Sequence, residues 1–277
     1  MQDINFLFLI FAFIFGSIIG SFLNVLIYRL PLPREEKRSI FNPPYSICPN
    51  CEARIKAYDN IPILSYFLLK GRCRNCKSKI SLQYPIVEIL TGFASVLAYL
   101  KVSKYLFINN QINKMALIDY FFIFSFLALM IALSFIDLEH KIIPNEINVI
   151  GFLLGIIYTY FRPDMTLLDA LAGSIVGGGL LFAIAFFYEK VKNIDALGMG
   201  DVKLLVFIGS FVGVFGAIFT IFIGSLLALI VAFAGYAVNS NKNIREYEIA
   251  FGPYLAIAGS IYILIGDKIK AFYFGGL

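Results

Sequence analysis

Residues 4–28 read INFLFLIFAFIFGSIIGSFLNVLIY, a run without a single charge. In a helix rising 1.5 Å per residue, this length crosses the roughly 30 Å hydrocarbon core of a bilayer. It exceeds the apolar core of a signal peptide, and Asp3 is the only charge before it, so it reads as a retained first span. Comparable runs follow at Leu82–Leu100, Leu117–Ile136, Ile147–Phe161, Leu167–Tyr188, Val202–Val212, Val214–Val238 and Phe251–Ile269. The expectation is an all-α polytopic membrane protein of about eight transmembrane helices. The boundary between the sixth and seventh falls near Gly213, where the pattern is ambiguous.

Composition agrees with that reading. The 277-residue chain is 60% hydrophobic and 15% charged, against roughly 45–50% and about 25% in soluble domains. So few polar residues cannot cover a soluble surface, which excludes both disorder and an ordinary soluble enzyme. The net charge of +5 reports topology in such a chain, not nucleic-acid binding. With the N-terminus outside, 17 of the 23 basic residues face the cytoplasm, 11 of them between Arg29 and Lys79. Lys141, Lys190, Lys192, Lys203, Lys242 and Arg245 make up the rest. Six face outward, so N-out and C-out is the favoured orientation. Three regions are expected: a first helix at 1–30, a cytosolic insertion at 31–81, and a helical membrane domain at 82–277.

All four cysteines lie in that insertion, as Cys48-Pro-Asn-Cys51 and Cys73-Arg-Asn-Cys76, with 21 residues between the pairs. Two such turns at this interval come close to the spacing of a zinc site, and together they complete a tetrahedral four-thiolate shell with no position left open for catalysis. The expected metal is therefore structural zinc. The competing readings are two disulfides, which a reducing cytosol disfavours, and four unrelated thiols.

Ionisable residues at membrane depth are costly and count as functional candidates. Asp3, Asp119, Asp164, Asp169 and Asp267 fall near outer ends, where solvation accounts for them. Asp137 ends the third span in Ser134-Phe-Ile-Asp137-Leu-Glu-His-Lys-Ile-Ile-Pro144, and Asp201 opens the sixth in Gly198-Met-Gly-Asp201-Val-Lys203. The topology puts both at the cytoplasmic face, so they can share one site. Two carboxylates in one desolvated site do not both ionise, and the resulting pair suits peptide hydrolysis. A helix N-cap aspartate after a glycine turn is the plainer alternative for Asp201. His140 and Glu139 are expected to face water. Gly173, Gly177, Gly178 and Gly179 resemble small-residue helix packing more than a phosphate cradle. Glu88, inside the second span, needs a partner. Asn24 and Arg29 mark the cytoplasmic end of the first.

Taken together these residues resemble the type IV prepilin peptidase family, over nearly the whole chain. The resemblance is carried by Gly20-Ser-Phe-Leu-Asn-Val25, the paired Cys-x-x-Cys motifs, Asn60-Ile-Pro-Ile-Leu-Ser-Tyr66, Tyr84-Pro-Ile-Val-Glu88, Asp137 with Ile143-Pro144, Gly198-Met-Gly-Asp201 and Phe251-Gly-Pro-Tyr-Leu255. It implies that Asp137 and Asp201 are the catalytic pair of a membrane aspartic peptidase. Such an enzyme removes the leader of type IV prepilins or pseudopilins at the cytoplasmic face of the bacterial inner membrane. It then methylates the new N-terminus with S-adenosylmethionine. No dinucleotide-type glycine fingerprint is present, so the methyl donor is assigned by elimination to the insertion and its flanking helix ends, with Asn24, Arg29 and Glu88 as candidates. Two other readings compete: a Gly-x-Gly-Asp intramembrane protease without methylation, and a transporter or scaffold whose aspartates bind protons or ions.

Overall fold

A computed structural model describes residues 2–31, 43–108, 111–192, 198–238 and 250–275. Among the described residues, five helices are long and apolar enough to cross a membrane: Phe6–Arg29, Gln83–Leu106, Lys114–His140, Leu167–Val191 and Met199–Gly235, with Asn145–Tyr158 a shorter apolar helix. The basic residues Arg34, Lys37, Arg38, Lys242 and Arg245, used above for orientation, lie outside the described residues. The chain divides into two compact units, Met1–Ala132 and Leu133–Leu277.

In the first unit, α1 (Gln2–Arg29) packs against α3 (Gln83–Leu106). Small residues let the two backbones meet, as expected where lipid offers no hydrophobic drive. A Cβ on Gly16 would lie 2.5 Å from the Thr91 carbonyl, and one on Gly20 would lie 2.8 Å from the Glu88 Cα. The Ser95 hydroxyl donates to the Ala12 carbonyl (2.6 Å) and pairs with the Tyr120 hydroxyl (2.7 Å) on α4 (Lys114–His140). Between α1 and α3 lies the insertion, with a short helix α2 (Leu64–Leu68). A two-stranded ladder, β1 (Phe107–Ile108) with β2 (Gln111–Ile112), links α3 to α4.

The second unit takes the end of α4, then α5 (Asn145–Tyr158), α6 (Leu167–Lys192), α7 (Met199–Val238) and α8 (Gly252–Phe274). The Gly213 backbone is left-handed, at φ 70° and ψ −173°, a conformation open to glycine. There α7 doubles back on itself. A Cβ on Gly177 would lie 2.9 Å from the Leu205 carbonyl and 3.3 Å from the Ala217 side chain. Twelve residues of straight helix would hold those two about 18 Å apart. The ambiguous boundary in the sequence is thus a one-residue reversal, with both arms of α7 packed on α6.

Beside the reversal, the Phe211 carbonyl takes a side-chain donor. Arg162, in the α5–α6 loop, supplies one from Nη1 at 3.0 Å while Nη2 pairs with Asp164. The returning arm packs on α8 through Phe215 and Phe219, whose ring centroids lie 6.2 and 5.3 Å from that of Tyr262.

Candidate functional site

Asp137 sits in the last turn of α4, and its own carbonyl accepts from the N–H of Lys141, whose φ of 53° ends the helix. The chain then crosses Ile143 to Pro144, the N-cap of α5. Asp201 stands in the first turn of α7, its N–H bonded to the Gly198 carbonyl at 3.1 Å. Both carboxylates are buried, with residue exposures of 6% and 8%, and they are close enough for their charges to act on each other.

Two further segments close the site. Gly252 opens α8 and donates its backbone N–H to Asp137 Oδ2 at 3.1 Å. Ile143 packs between the start of α7 and the start of α8. A Cβ on Gly200 would lie 3.0 Å from the Ile143 Cβ, and one on Gly252 would lie 2.7 Å from Asp137 Oδ2 and 3.1 Å from Ile143 Cδ1. Both glycines are there because the space a side chain needs is already taken. The two aspartates, 64 positions apart in sequence, therefore share one compact site.

Among the described residues, Asp201 Oδ1 is a buried oxygen with no hydrogen-bond partner. Asn148 is 4% exposed, and neither atom of its amide is hydrogen-bonded. It lies one turn beyond Asn145, whose Oδ1 accepts from Lys203 Nζ at 2.8 Å. Sequence reasoning missed Asn148, and it treated Gly252 and Ile143 only as parts of motifs. Glu139 and His140 are exposed, 3.9 Å apart, as expected of groups facing water. At the other end of this unit, Asp164 pairs with Arg162, while Asp169 accepts from the N–H and hydroxyl of Thr166 at 2.9 and 2.7 Å.

In the first unit the four cysteine sulfurs lie within 4.8 Å of one another, none in a disulfide. Each pair caps a small turn built the same way. Cys48 N–H donates to Ala53 O and Cys73 N–H to Ser78 O; Glu52 N–H returns to Cys48 O and Lys77 N–H to Cys73 O. Glu52 and Lys77 both take positive φ, 56° and 61°. The asparagines cross over: Asn50 Nδ2 points at Cys76 Sγ and Asn75 Nδ2 at Cys51 Sγ, each at 3.8 Å. A tetrahedral shell with Zn–S near 2.3 Å holds its sulfurs about 3.8 Å apart, and Cys48 Sγ to Cys76 Sγ is 3.9 Å. Hydrogen bonding from Ser78 lowers the Cys76 thiol to about 6, towards the thiolate that a metal requires. The four residues fit a metal ion.

Asn24, Arg29 and Glu88 are all buried, and each is bonded to backbone. Asn24 Nδ2 donates to Tyr84 O at 3.0 Å, and Arg29 donates to Pro43 O and Tyr45 O at 2.9 and 3.0 Å. Glu88 accepts the N–H of Ile63 at 2.7 Å and a hydrogen bond from Ser21. Ile63 has φ 64°, a strained setting for a β-branched residue, so Glu88 helps hold an unfavourable turn. Asn24 thus ties α1 to α3, while Arg29 and Glu88 pin the insertion to those two helices.

Two family models match the chain. Residues 14–102 match the bacterial peptidase A24 N-terminal domain, and residues 124–233 match the type IV leader peptidase family. Among curated relatives, the prepilin leader peptidase/N-methyltransferase of Stutzerimonas stutzeri is 33% identical, over 96% of this chain and 93% of its own. The proteins of the same name from Aeromonas hydrophila and Pseudomonas aeruginosa are 33% and 32% identical, over 95% and 96% of this chain and 92% and 93% of theirs. No solved structure matches.

Proposed function

The chain belongs to the type IV leader peptidase family, and from that membership we infer that it is a prepilin leader peptidase and N-methyltransferase of the inner membrane, with Asp137 and Asp201 as its catalytic pair. The assignment of residues rests above all on one observation. Two buried carboxylates from α4 and α7 act on each other, and one of their oxygens is unpartnered.

Such a pair hydrolyses a peptide bond without metal or covalent intermediate. One carboxyl is ionised and takes a proton from water as the water oxygen attacks the scissile carbonyl carbon. The other carries a proton and gives it to the carbonyl oxygen, so that the tetrahedral centre is neutral. Collapse returns that proton to its carboxyl and passes the water-derived proton to the departing amine, which becomes the new N-terminus. Asp137 Oδ2 is tethered by Gly252, leaving its second oxygen for this exchange, and Asp201 Oδ1, buried and without a hydrogen bond, has its accepting capacity unspent.

Cys48, Cys51, Cys73 and Cys76 would hold a structural zinc ion that folds the insertion. S-adenosylmethionine supplies an electrophilic methyl group for the new amine. Its pocket belongs at the buried polar group of Asn24, Arg29 and Glu88. Glu88 accepts two hydrogen bonds where a carboxylate offers about four lone-pair sites, so it can still accept from the donor's ammonium group. With the orientation given by the basic residues, both termini face outward, and the insertion and the aspartates face the cytosol. The boundaries 1–30, 31–81 and 82–277 and a count of eight crossings complete this reading, with the arms of α7 as separate crossings.

The decisive experiment is mass spectrometry of a type IV pilin from cells with the wild-type protein, with none, and with Asp137→Asn or Asp201→Asn. The expected product has lost its leader and gained one CH₂ at the N-terminus, in wild-type cells alone. Cleavage that persists in either aspartate variant would overturn the assignment, and cleavage without the mass gain would select a protease that lacks methylation.

A further inference from the structure

The short helix α2 turns an apolar face outward. Leu64, Phe67 and Leu68 share that face at the i, i+3, i+4 spacing of one helical stripe, and they are 60%, 65% and 74% exposed. Ile61 before the helix and Leu82 just ahead of α3 are exposed as well. The opposite face is bonded into the insertion, where the buried Ser65 donates its hydroxyl to the Tyr58 carbonyl at 3.2 Å.

Two contacts fix the depth at which the apolar face stands. The N–H of Ile63, immediately before α2, donates to Glu88 Oε2 at 2.7 Å. Glu88 is the sixth residue of α3, about 7.5 Å inside its start. It packs on Gly20, where a Cβ would lie 2.8 Å from the Glu88 Cα. Gly20 is nine residues short of the end of α1 at Arg29, roughly 13 Å of helix. Helical side chains lean towards the N-terminus of their own helix, so the carboxylate reaches back towards Gln83 by about one turn at most. Ile63 is then level with the first turns of α3 and still short of the end of α1, whose residues from Ile4 to Tyr28 carry no charge. A chain tied at that level meets the outer part of the bilayer.

Charge points to the same surroundings. From Asn60 to Val87 the chain has five basic residues, Lys70, Arg72, Arg74, Lys77 and Lys79, and no acidic one. Arg74 pairs with Asp59. Apolar side chains with a basic fringe suit an element that lies in the plane of a membrane, its apolar face in the acyl chains and its cations among the lipid phosphates.

We propose that α2 is an interfacial anchor, with Leu64, Phe67 and Leu68 seated in the headgroup and upper acyl region of the leaflet on the insertion's side, and phospholipid as the occupant of that face. The strained turn at Ile63, held by Glu88, aims the face into lipid, and the cysteine cluster is thereby tethered at the membrane surface. This placement depends only on α1 and α3 crossing the membrane and stands apart from the peptidase reading.

The chain has no tryptophan, so a single introduced indole reports alone. Phe67→Trp exchanges one exposed ring for another, and Leu68→Trp repeats the measurement at the most exposed position of the helix. Tyr58→Trp is the control, because that ring lies on the bonded side of α2 against the cations of Lys56 and Arg74. Each full-length variant, with a thermal unfolding curve matching wild type, is reconstituted in phosphatidylcholine vesicles with and without brominated acyl chains. Indoles at 67 and 68 are expected to emit at blue-shifted wavelengths and to lose most of their emission to bromines near the top of the acyl chains. They are expected to lose less to bromines near the midplane and little to aqueous acrylamide, while the indole at 58 is quenched by acrylamide alone. Acrylamide quenching without bromolipid quenching at 67 and 68 would place the face in water and overturn the proposal. Shielding from both quenchers would mean that protein covers it, from this chain or a second copy, and would overturn the proposal too. So would equal bromolipid quenching at 58 and 67, which a membrane-seeking indole gives wherever it is placed.

Discussion

The backbone N–H of Gly252 donates to the carboxylate of Asp137 at 3.1 Å, tying the first turn of α8 to the last turn of α4. With no side chain on residue 252, the carboxylate comes within 2.7 Å of where a Cβ would stand. Gly252→Ala is therefore expected to displace Asp137 while leaving the helices intact. A misplacement of this kind costs on the order of 10²-fold in rate. Cleavage assays beside a thermal unfolding curve of the purified variant separate the two effects; parallel loss of both would mean that Gly252 supports the fold, not the site.

In the proposed mechanism, Asp137→Asn and Asp201→Asn each remove one half of the proton exchange. Each is expected to lower kcat by at least ~10²–10⁴-fold and to leave the metal content of the cysteine cluster unchanged. Because activity needs one carboxyl ionised and its neighbour protonated, the wild-type rate is expected to fall on both sides of a pH optimum whose limits belong to the pair. A rate that plateaus at high pH would contradict a two-carboxyl mechanism.

The cysteine cluster is expected to carry one zinc ion per chain by elemental analysis, lost in Cys48→Ser and Cys76→Ser. Asn50→Ala and Asn75→Ala each remove a donor aimed at the opposite turn and are expected to weaken metal retention against a chelator by about 10–100-fold. If only one of the two asparagines mattered, the cross-bracing would not be mutual.

At the far end of the second unit, Arg162→Ala would remove the charged hydrogen bond to the Phe211 carbonyl beside the Gly213 reversal, a loss of about 1.5–3 kcal/mol in unfolding free energy. Burial pushes the Asp164 carboxyl up, but the hydrogen bond and charge of Arg162 outweigh it and hold Asp164 below the ordinary carboxylate value. Its contribution is thus complete above the unfolded value of about 4 and disappears as pH falls through the lower folded value. The stability gap between wild type and Arg162→Ala should narrow on acidification, with the Phe211 contact surviving. A gap that widened would reverse the sign of this coupling.

The sequence announces its helices because every long one is an apolar run, and solvent-fearing length is legible one residue at a time. It also announces the aspartates and cysteines, since charge and thiol are rare in such a chain. The function of Gly213 was hidden: one glycine between two apolar runs reads equally as a kink and as a reversal. Asn148 was hidden as well, because a single amide inside Asn145–Tyr158 breaks no periodicity. Ile143, Gly200 and Gly252 act through the space they fill or leave empty, and a pattern of residue types does not record distances. For the same reason Asn24, Arg29 and Glu88 stood out as buried polar residues, while the backbone they grip was visible only once the chain was folded.

The Gly213 reversal also bears on how the protein enters the membrane. The arm before it, residues 199–212, measures only about 21 Å as helix, too short to cross a core of roughly 30 Å unaided. Its fellow arm follows without a loop, so a translocation machinery meets the two as one hairpin, whose tip is a glycine and whose opening end carries Asp201 and Lys203. The short arm is expected to insert together with the long one, and its shortness to hold Asp201 below the surface. Lengthening that arm by a single turn would lift the carboxylate towards the water and away from its partner, so the biogenesis of the hairpin and the depth of the chemistry are set by the same fourteen residues.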